Sequence, residues 1–300
     1  MDKPPIAFIG TGAIGSPMAF RLLQAGFPLT VNNRRRERAE DLIAAGATWA
    51  GSAAEAASRA ELVFTCLPSQ EAMDAVCFGA DGIIAGGRPR CVIDFSTTGP
   101  DDAIHMADRF RAAGIGFLDA PVTGGVPRAR EGKLTVIVSG PEADIALARP
   151  AFEAVGSTIV VIGPNAGQAQ TVKLINNMLN YTAMAATSEA MVLGARAGID
   201  PATILSVVNN GSGKNSATEI KFPLAVLPRT FDFGATNRVA AKDLSLFLGV
   251  ADELEVPTPI ASLVSQLWRT WVREHGDEDL TTLVKLFESW SGVEVKGKPA

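Results

Sequence analysis

The sequence predicts an α/β fold: an open, doubly wound sheet followed by an all-helical domain, the two joined by one long helix. Three observations carry this. Through residue 163, short β-branched runs alternate with Ala-rich amphipathic stretches, the pattern of a parallel sheet covered by helices. Beyond Gly163 the strand pattern stops, and apolar residues recur at steps of three and four. Between the first strand and the first helix, Gly10, Gly12 and Gly15 form a G-x-G-x-x-G. The expected domains are 1–163 and 164–300.

Strands are expected at 6–9, 29–32, 62–66, 91–95, 117–120, 134–139 and 158–162, where Val, Ile, Leu and Phe cluster between turn residues. Helices are expected between them at 14–25, 36–45, 53–57, 71–76, 101–113 and 142–155. Ala169, Val172, Ile175, Leu179, Ala183, Ala186, Ala190, Leu193 and Ala197 then define the apolar stripe of the long helix. It stops near Gly198, and Asp200 with Pro201 supplies an N-cap and first-turn proline for a helix ending near Gly211. Further helical patterns occupy 239–254, 259–274 and 280–290. The tail 295–300 is expected to fray, and no internal repeat or low-complexity tract is visible.

Composition narrows the function classes. The 300 residues are 47% hydrophobic and 20% charged, with a net charge of -5, enough chain for one large or two medium domains. Cys66, Cys77 and Cys91 are odd in number and too widely spaced for ligand pairs, so neither a disulfide framework nor a metal site is expected. A cytoplasmic location fits this cysteine usage. The first residues run into a strand pattern without a basic leader, and no apolar run approaches roughly 18 residues, so neither secretion nor membrane insertion is expected. With no basic stripe and few aromatics, nucleic acid is not an expected partner. His105 and His275 are assigned to surface or packing roles.

The segment Gly10-Thr11-Gly12-Ala13-Ile14-Gly15 has a mechanical reading as the phosphate loop of a Rossmann-type domain. Gly10 allows the tight turn, Gly12 lets the backbone approach a pyrophosphate, and Gly15 lets the helix pack on the strand with its N-terminal amides facing the anion. The alternative is a tight strand-to-helix turn without a ligand. About 20 residues on, an NAD site places an acid on the ribose 2′-hydroxyl. Here Asn32, Asn33, Arg34, Arg35 and Arg36 stand instead, which favours NADP, with NAD as the alternative cofactor. A solvated basic turn balanced by Glu37 and Glu40 is the other reading.

On the long helix, Gln170, Lys173 and Asn177 share one stripe with Asn176 beside them, a lysine and amides able to hold a substrate hydroxyl and move its proton. A solvated helix face is the plain alternative. In Asp119-Ala-Pro-Val-Thr-Gly-Gly125, the Thr123 hydroxyl and the Gly124 and Gly125 amides could cradle a small carboxylate, or the glycines only permit an unusual backbone. The segment from Gly211 to Thr218 reads as a helix-to-helix turn or as a rim selecting the far end of a substrate.

Taken together, GTGAIG, Asp94-Phe-Ser-Thr97, DAPVTGG, GQAQTVKLINN and Lys242-Asp243-Leu244 resemble, in order and spacing, the β-hydroxyacid dehydrogenase family, which includes 3-hydroxyisobutyrate dehydrogenase and tartronate semialdehyde reductase. The resemblance covers nearly the whole chain. It implies hydride transfer between a nicotinamide cofactor and a β-hydroxy acid or its semialdehyde, with Lys173 as proton donor or acceptor and Asn177 orienting the substrate. It further implies that Thr123, Gly124 and Gly125 bind the carboxylate, that Thr97 lies near the nicotinamide ribose, that Leu67 and Pro68 line the cofactor cleft, and that Lys242 contacts the cofactor. A homodimer or homotetramer is implied in the same way.

Two departures bear on the substrate. Thr123 stands where many relatives carry Ser, and Lys214-Asn-Ser-Ala-Thr replaces the familiar Ser-Trp, adding a cation and hydroxyls. Lys214, Asn215 and Thr218 therefore suit a more polar, dicarboxylic or hydroxylated substrate. The rival readings are an NADPH-dependent imine reductase and a non-catalytic dinucleotide-binding sensor. Oxidative decarboxylation of a larger phosphorylated sugar acid is disfavoured by the short helical domain.

Overall fold

The computed structural model describes residues 3–87 and 89–297. The chain divides into two compact units, Met1–Lys173 and Leu174–Ala300.

In the first unit the elements run β1 (Ile6–Ile9), α1 (Gly15–Gln24), β2 (Leu29–Asn32), α2 (Glu40–Ala44), β3 (Thr48–Trp49), α3 (Ala53–Ala57), β4 (Leu62–Thr65), α4 (Gln70–Phe78), α5 (Ile83–Gly86) and β5 (Cys91–Asp94). They continue through α6 (Pro100–Ala112), β6 (Gly116–Asp119), β7 (Val122–Thr123), α7 (Gly125–Glu131), β8 (Leu134–Ser139), α8 (Glu142–Val155) and β9 (Gly156–Gly163) to the start of α9 (Gln168–Arg196). Strands β3-β2-β1-β4-β5-β6 are parallel neighbours in that order. β8 continues the sheet antiparallel to β6 and β7, and β9 pairs parallel with β8. The strand order reverses at β1 and β4, where Ile6 lies opposite both Leu29 and Leu62. That reversal opens a crevice at the carboxyl ends of the strands.

Strand alternation sorts the apolar residues into two cores, one on each sheet face. Ile6 and Phe8 pack with Met18, Phe64, Phe95 and Phe152 on one side. Ala7 and Ile9 pack with Val63, Met73, Val92 and Phe110 on the other. Serine caps start two of the helices: the Ser52 hydroxyl accepts from the Glu55 N–H at 3.1 Å and Ser69 from Ala72 at 3.3 Å.

The second unit carries the rest of α9, then α10 (Pro201–Asn210), a π-helical segment Ala217–Val226, α11 (Asn237–Glu253), α12 (Pro259–His275), a 3-10 turn Leu280–Leu283 and α13 (Val284–Ser291). Its core gathers Tyr181, Met184, Phe222, Leu244, Trp268 and Leu283. Asp200, Thr236 and Asp279 cap their helices through backbone N–H groups.

Several expectations need correction. The helix expected at 36–45 is a 3-10 turn, Arg36–Ala39, followed by the short α2. β3, β7, α5 and α7 were not expected. β3 and β7 are two residues long, too short to show a period, and α5 spans only four. Residues 211–216 form a turn, one of the two readings of that segment, and Ala217 and Thr218 already belong to the π-helical segment; Asn215 Oδ1 accepts from the N–H groups of both. The π-helical segment contains Pro223, which has no N–H to donate, and at its end the Leu227 N–H reaches Phe222 O, five residues back, at 2.8 Å. Of the tail, Val295 is fully buried and its N–H donates to Glu288, while the Gly297 N–H donates to Leu227 O, so 295–297 do not fray. Residues 298–300, like Met1 and Asp2, lie outside the described residues.

The long helix forms as expected but buries a different face. Ile175, Leu179 and Leu193 of the expected apolar stripe are exposed, and so are Ala186, Ala190 and Ala197. The buried row is Lys173, Leu174, Asn177, Tyr181, Met184, Ser188 and Met191. Polar groups with partners override the hydrophobic period here.

Candidate functional site

The loop after β1 has the geometry that its glycines imply. Gly10 sits at φ +99°, and a Cβ there would lie 2.3 Å from Cys66 O. A Cβ on Gly15 would lie 2.0 Å from Gly10 O, so the close packing of α1 on the strand requires glycine. Gly12 differs: a Cβ there meets nothing within 4 Å. The amides of Gly12, Ala13 and Ile14 have no backbone acceptor among the described residues. Open space, unused donors and a helix start at the sheet's switch point fit a dinucleotide's pyrophosphate.

Around this loop the structure gathers the other expected cofactor residues of the first unit at the carboxyl ends of β2, β4 and β5. Asn33 Nδ2 donates to Thr11 Oγ1 at 2.8 Å, tying the segment after β2 to the phosphate loop. Arg34, Arg35 and Arg36 are exposed, and among the described residues none forms an ion pair, with Glu37, Glu40 or otherwise. The Arg36 guanidinium lies over the Trp49 ring, 5.7 Å from its centroid. After β4, Leu67 is half-buried and Pro68 exposed, and the Leu67 N–H donates to Ser96 Oγ at 2.8 Å. That serine and Thr65 both donate to the buried Asp94, at 2.6 and 2.8 Å, locking the β4 and β5 loops together beside the half-buried Thr97.

Thr123 ends β7, opposite Thr135 of β8. Gly124 and Gly125 follow at φ +133° and +74°, and α7 begins at Gly125. Both readings of these glycines start from this left-handed backbone, which excludes bulkier residues.

Lys173 is the sixth residue of α9, and a buried polar lattice fixes that end of the helix within the first unit. Asp119 Oδ2 accepts from the N–H groups of Gly167 and Gln170, each at 3.2 Å, and Asp119 Oδ1 from Ser139 Oγ at 2.6 Å. Ser139 Oγ accepts in turn from the Ala169 N–H. Gln170 Oε1 accepts from Thr98 and Gly99, and Nε2 donates to Ser96 O. Gln170 is thus an anchor. Burial pushes the Asp119 carboxyl up to about 6 despite these donors. Lys173 is 8% exposed and Asn177 6%, so neither lies on a solvated face.

In the second unit, Asn177 Nδ2 donates to Asp243 Oδ2 at 2.7 Å, and Tyr181 OH donates to the same oxygen at 2.8 Å. Lys242 Nζ lies 3.0 Å from Asp243 Oδ1. Asn176 Nδ2 donates to Asn177 Oδ1 at 3.1 Å. Burial, then the Asp243 charge and hydrogen bond, raises the Tyr181 hydroxyl well above the usual phenol range. The arrangement fixes the Asn177 amide with its carboxylate partner on one side. Lys214 is exposed and paired with Glu219 at 2.7 Å. Asp243, Asp119 and Tyr181 were missed as members of this machinery. Asp119 and Asp243 left a signal, the first at the head of DAPVTGG and the second between Lys242 and Leu244, whereas Tyr181 left none.

His275 stacks on Trp271 with ring centroids 3.7 Å apart, a packing role. Among the described residues no His, Cys, Asp and Glu cluster could hold a metal ion, and no helix is long and apolar enough to cross a membrane.

Fold and phosphate loop together define a Rossmann-type dinucleotide-binding protein with a helical second unit. Residues 5–163 match the family model of the NAD-binding domain of 6-phosphogluconate dehydrogenase, and 167–287 that described as NAD-binding of NADP-dependent 3-hydroxyisobutyrate dehydrogenase. The chain is 36% identical to a 3-hydroxyisobutyrate dehydrogenase of Pseudomonas aeruginosa, over 94% of this chain and 98% of that one. It is also 36% identical to that organism's NAD-dependent L-serine dehydrogenase, over 96% and 99%. Identity to the 2-(hydroxymethyl)glutarate dehydrogenase of Eubacterium barkeri is 31%, over 97% of each chain. Among solved structures, 3-hydroxyisobutyrate dehydrogenase from Salmonella typhimurium matches with a TM-score of 0.84 at 29% identity, covering 94% of this chain and 99% of that one. An imine reductase from Streptomyces aurantiacus matches less well, at 0.65 and 25% over 94% and 99%. The chain belongs to the β-hydroxyacid dehydrogenase family.

Proposed function

We propose that this protein interconverts a small β-hydroxy acid and its semialdehyde, using NADP in preference to NAD. The observation that carries the reaction is a buried lysine on α9 one turn before a buried asparagine whose amide is held by Asp243. When bound, the nicotinamide cofactor supplies or accepts the hydride. Lys173 gives its proton to the substrate oxygen in the reductive direction and takes it back in the oxidative one. Asn177, held by Asp243, orients the hydroxyl, with Asn176 beside it. The Thr123 hydroxyl and the Gly124 and Gly125 amides bind the carboxylate. Gly10 to Gly15 take the pyrophosphate, Leu67, Pro68 and Thr97 flank the nicotinamide half, and Lys242 is a further cofactor contact.

The NADP preference rests on Arg34 and Arg35, exposed and without ion pairs among the described residues, at the place where an NAD site carries an acid. The domain division proposed is 1–163 for cofactor and 164–300 for substrate and oligomerisation. The exposed row Ile175, Leu179 and Leu193 supports a homo-oligomer in which a second copy covers it. A cytoplasmic location remains part of this reading.

The test is oxidation of NADPH and NADH, side by side, with small semialdehydes as acceptors. Lys173→Ala is expected to lower kcat by about 10²- to 10⁴-fold, the share of a positioned proton donor. Near-normal turnover in that variant would end the proton-transfer assignment. Arg34→Ala is expected to raise the NADPH KM about tenfold and leave that for NADH little changed, since it removes a charge-assisted contact to the 2′-phosphate alone. Equal effects on both cofactors would count against NADP. Reduction of a cyclic imine with silence on every semialdehyde would instead favour imine reduction.

A further inference from the structure

The charge expected of Lys214 is spent on the surface pair with Glu219. A different lysine of the second unit, Lys221, presents the opposite situation. It lies in the π-helical segment, is 2% exposed, and its Nζ donates to Asn180 Oδ1 at 2.7 Å and to Ser216 Oγ at 3.0 Å. Phe233 lies beneath, 5.3 Å from Nζ to ring centroid. Among the described residues no carboxylate pairs with it. A buried cation without an anion is costly, and an anion arriving as ligand offsets that cost. Two of the three ammonium protons are used, leaving one donor. Asn180 follows Asn177 by three residues on α9, about 4.5 Å further along the helix at 1.5 Å per residue. Lys221 is thus held by the residue just under one turn along α9 from Asn177.

We infer that Lys221, carried by Asn180 and Ser216, is the receptor for a second carboxylate at the far end of the substrate, making this chain selective for dicarboxylic β-hydroxy acids. The inference rests on the β-hydroxy acid reading and deepens it. Burial lowers the Lys221 pKa to about 8, so the group still carries its charge at pH 7.

Two substrates isolate the effect. 3-Hydroxyisobutyrate and 2-(hydroxymethyl)glutarate share the reacting carbinol and its neighbouring carboxylate; the second replaces a methyl group with a chain ending in carboxylate. With the full-length protein, kcat/KM is expected to be at least about tenfold higher for the diacid, the factor a charge-assisted hydrogen bond supplies. In Lys221→Met that ratio falls about tenfold or more, mainly through the diacid KM, and Lys221→Arg restores much of it. An equal loss on both substrates, or a wild-type protein that turns over the monoacid without preferring the diacid, overturns the inference and leaves the β-hydroxy acid reading intact. Inactivity on both substrates overturns that reading and the inference with it. If Lys221→Met does not fold, the wild-type ratio and its retention in Lys221→Arg decide.

Discussion

Gly12 and Gly15 belong to one motif, and a methyl group harms them for opposite reasons. On Gly15 it would meet the Gly10 carbonyl at 2.0 Å, a clash with backbone that only movement of α1 relieves. On Gly12 it meets no protein atom within 4 Å and fills the space assigned to the pyrophosphate. Gly12→Ala is thus expected to unfold at nearly the wild-type urea midpoint and to bind NADPH at least about tenfold more weakly, while Gly15→Ala lowers the midpoint itself. Equal midpoints and equal affinities for both variants would contradict this division. The motif was legible in the sequence because each glycine answers a local backbone demand. Lys221 was not, because nothing in Ile220-Lys221-Phe222-Pro223 shows that the lysine is buried.

At the scale of elements, α9 shows where periodicity misleads. Its three-and-four repeat of Ile175, Leu179 and Leu193 predicts the helix correctly but marks a face that the single chain leaves exposed. The face turned inward carries Lys173, Asn177 and Tyr181, and the last two are paid for by the single carboxylate of Asp243. Asp243→Ala leaves a buried amide and a buried hydroxyl without their acceptor. The expected cost is about 1–3 kcal/mol for each donor left unsatisfied, read from urea unfolding, together with a fall in kcat as the Asn177 amide loses its orientation. Tyr181→Phe removes one donor along with its partner's demand and is expected to cost less. A silent Asp243→Ala would show that the lattice is not what holds Asn177. The π-helical segment was equally hidden, since Pro223 disrupts a helix by an amount that only the surrounding packing decides.

For the whole molecule, the buried Asp119 makes stability depend on pH. Its folded pKa of about 6 lies above the ordinary 3.8, so the native state holds this proton more tightly than the unfolded chain. The stabilising contribution is full below about pH 4 and is lost as pH rises through about 6. Asp119→Asn, whose side-chain oxygen can still accept from Gly167 and Gln170, is expected to flatten that part of the profile when urea midpoints are compared from pH 4 to pH 7. A profile parallel to wild type would remove Asp119 as its source. The sequence by itself determined the alternation of strands and helices, the phosphate loop, the basic turn after β2 and the family, because these rest on local backbone demands, periodicity and ordered motifs. Only the tertiary structure decided which face of α9 is buried, that Asp119 and Asp243 hold its polar residues, and that the buried cation is Lys221 while Lys214 stays at the surface. The first two outcomes depend on distant partners, Asp119 with Gly167 48 residues away and Asn177 with Asp243 66 away, and the third on Asn180, 41 residues from Lys221; no local pattern encodes such pairings.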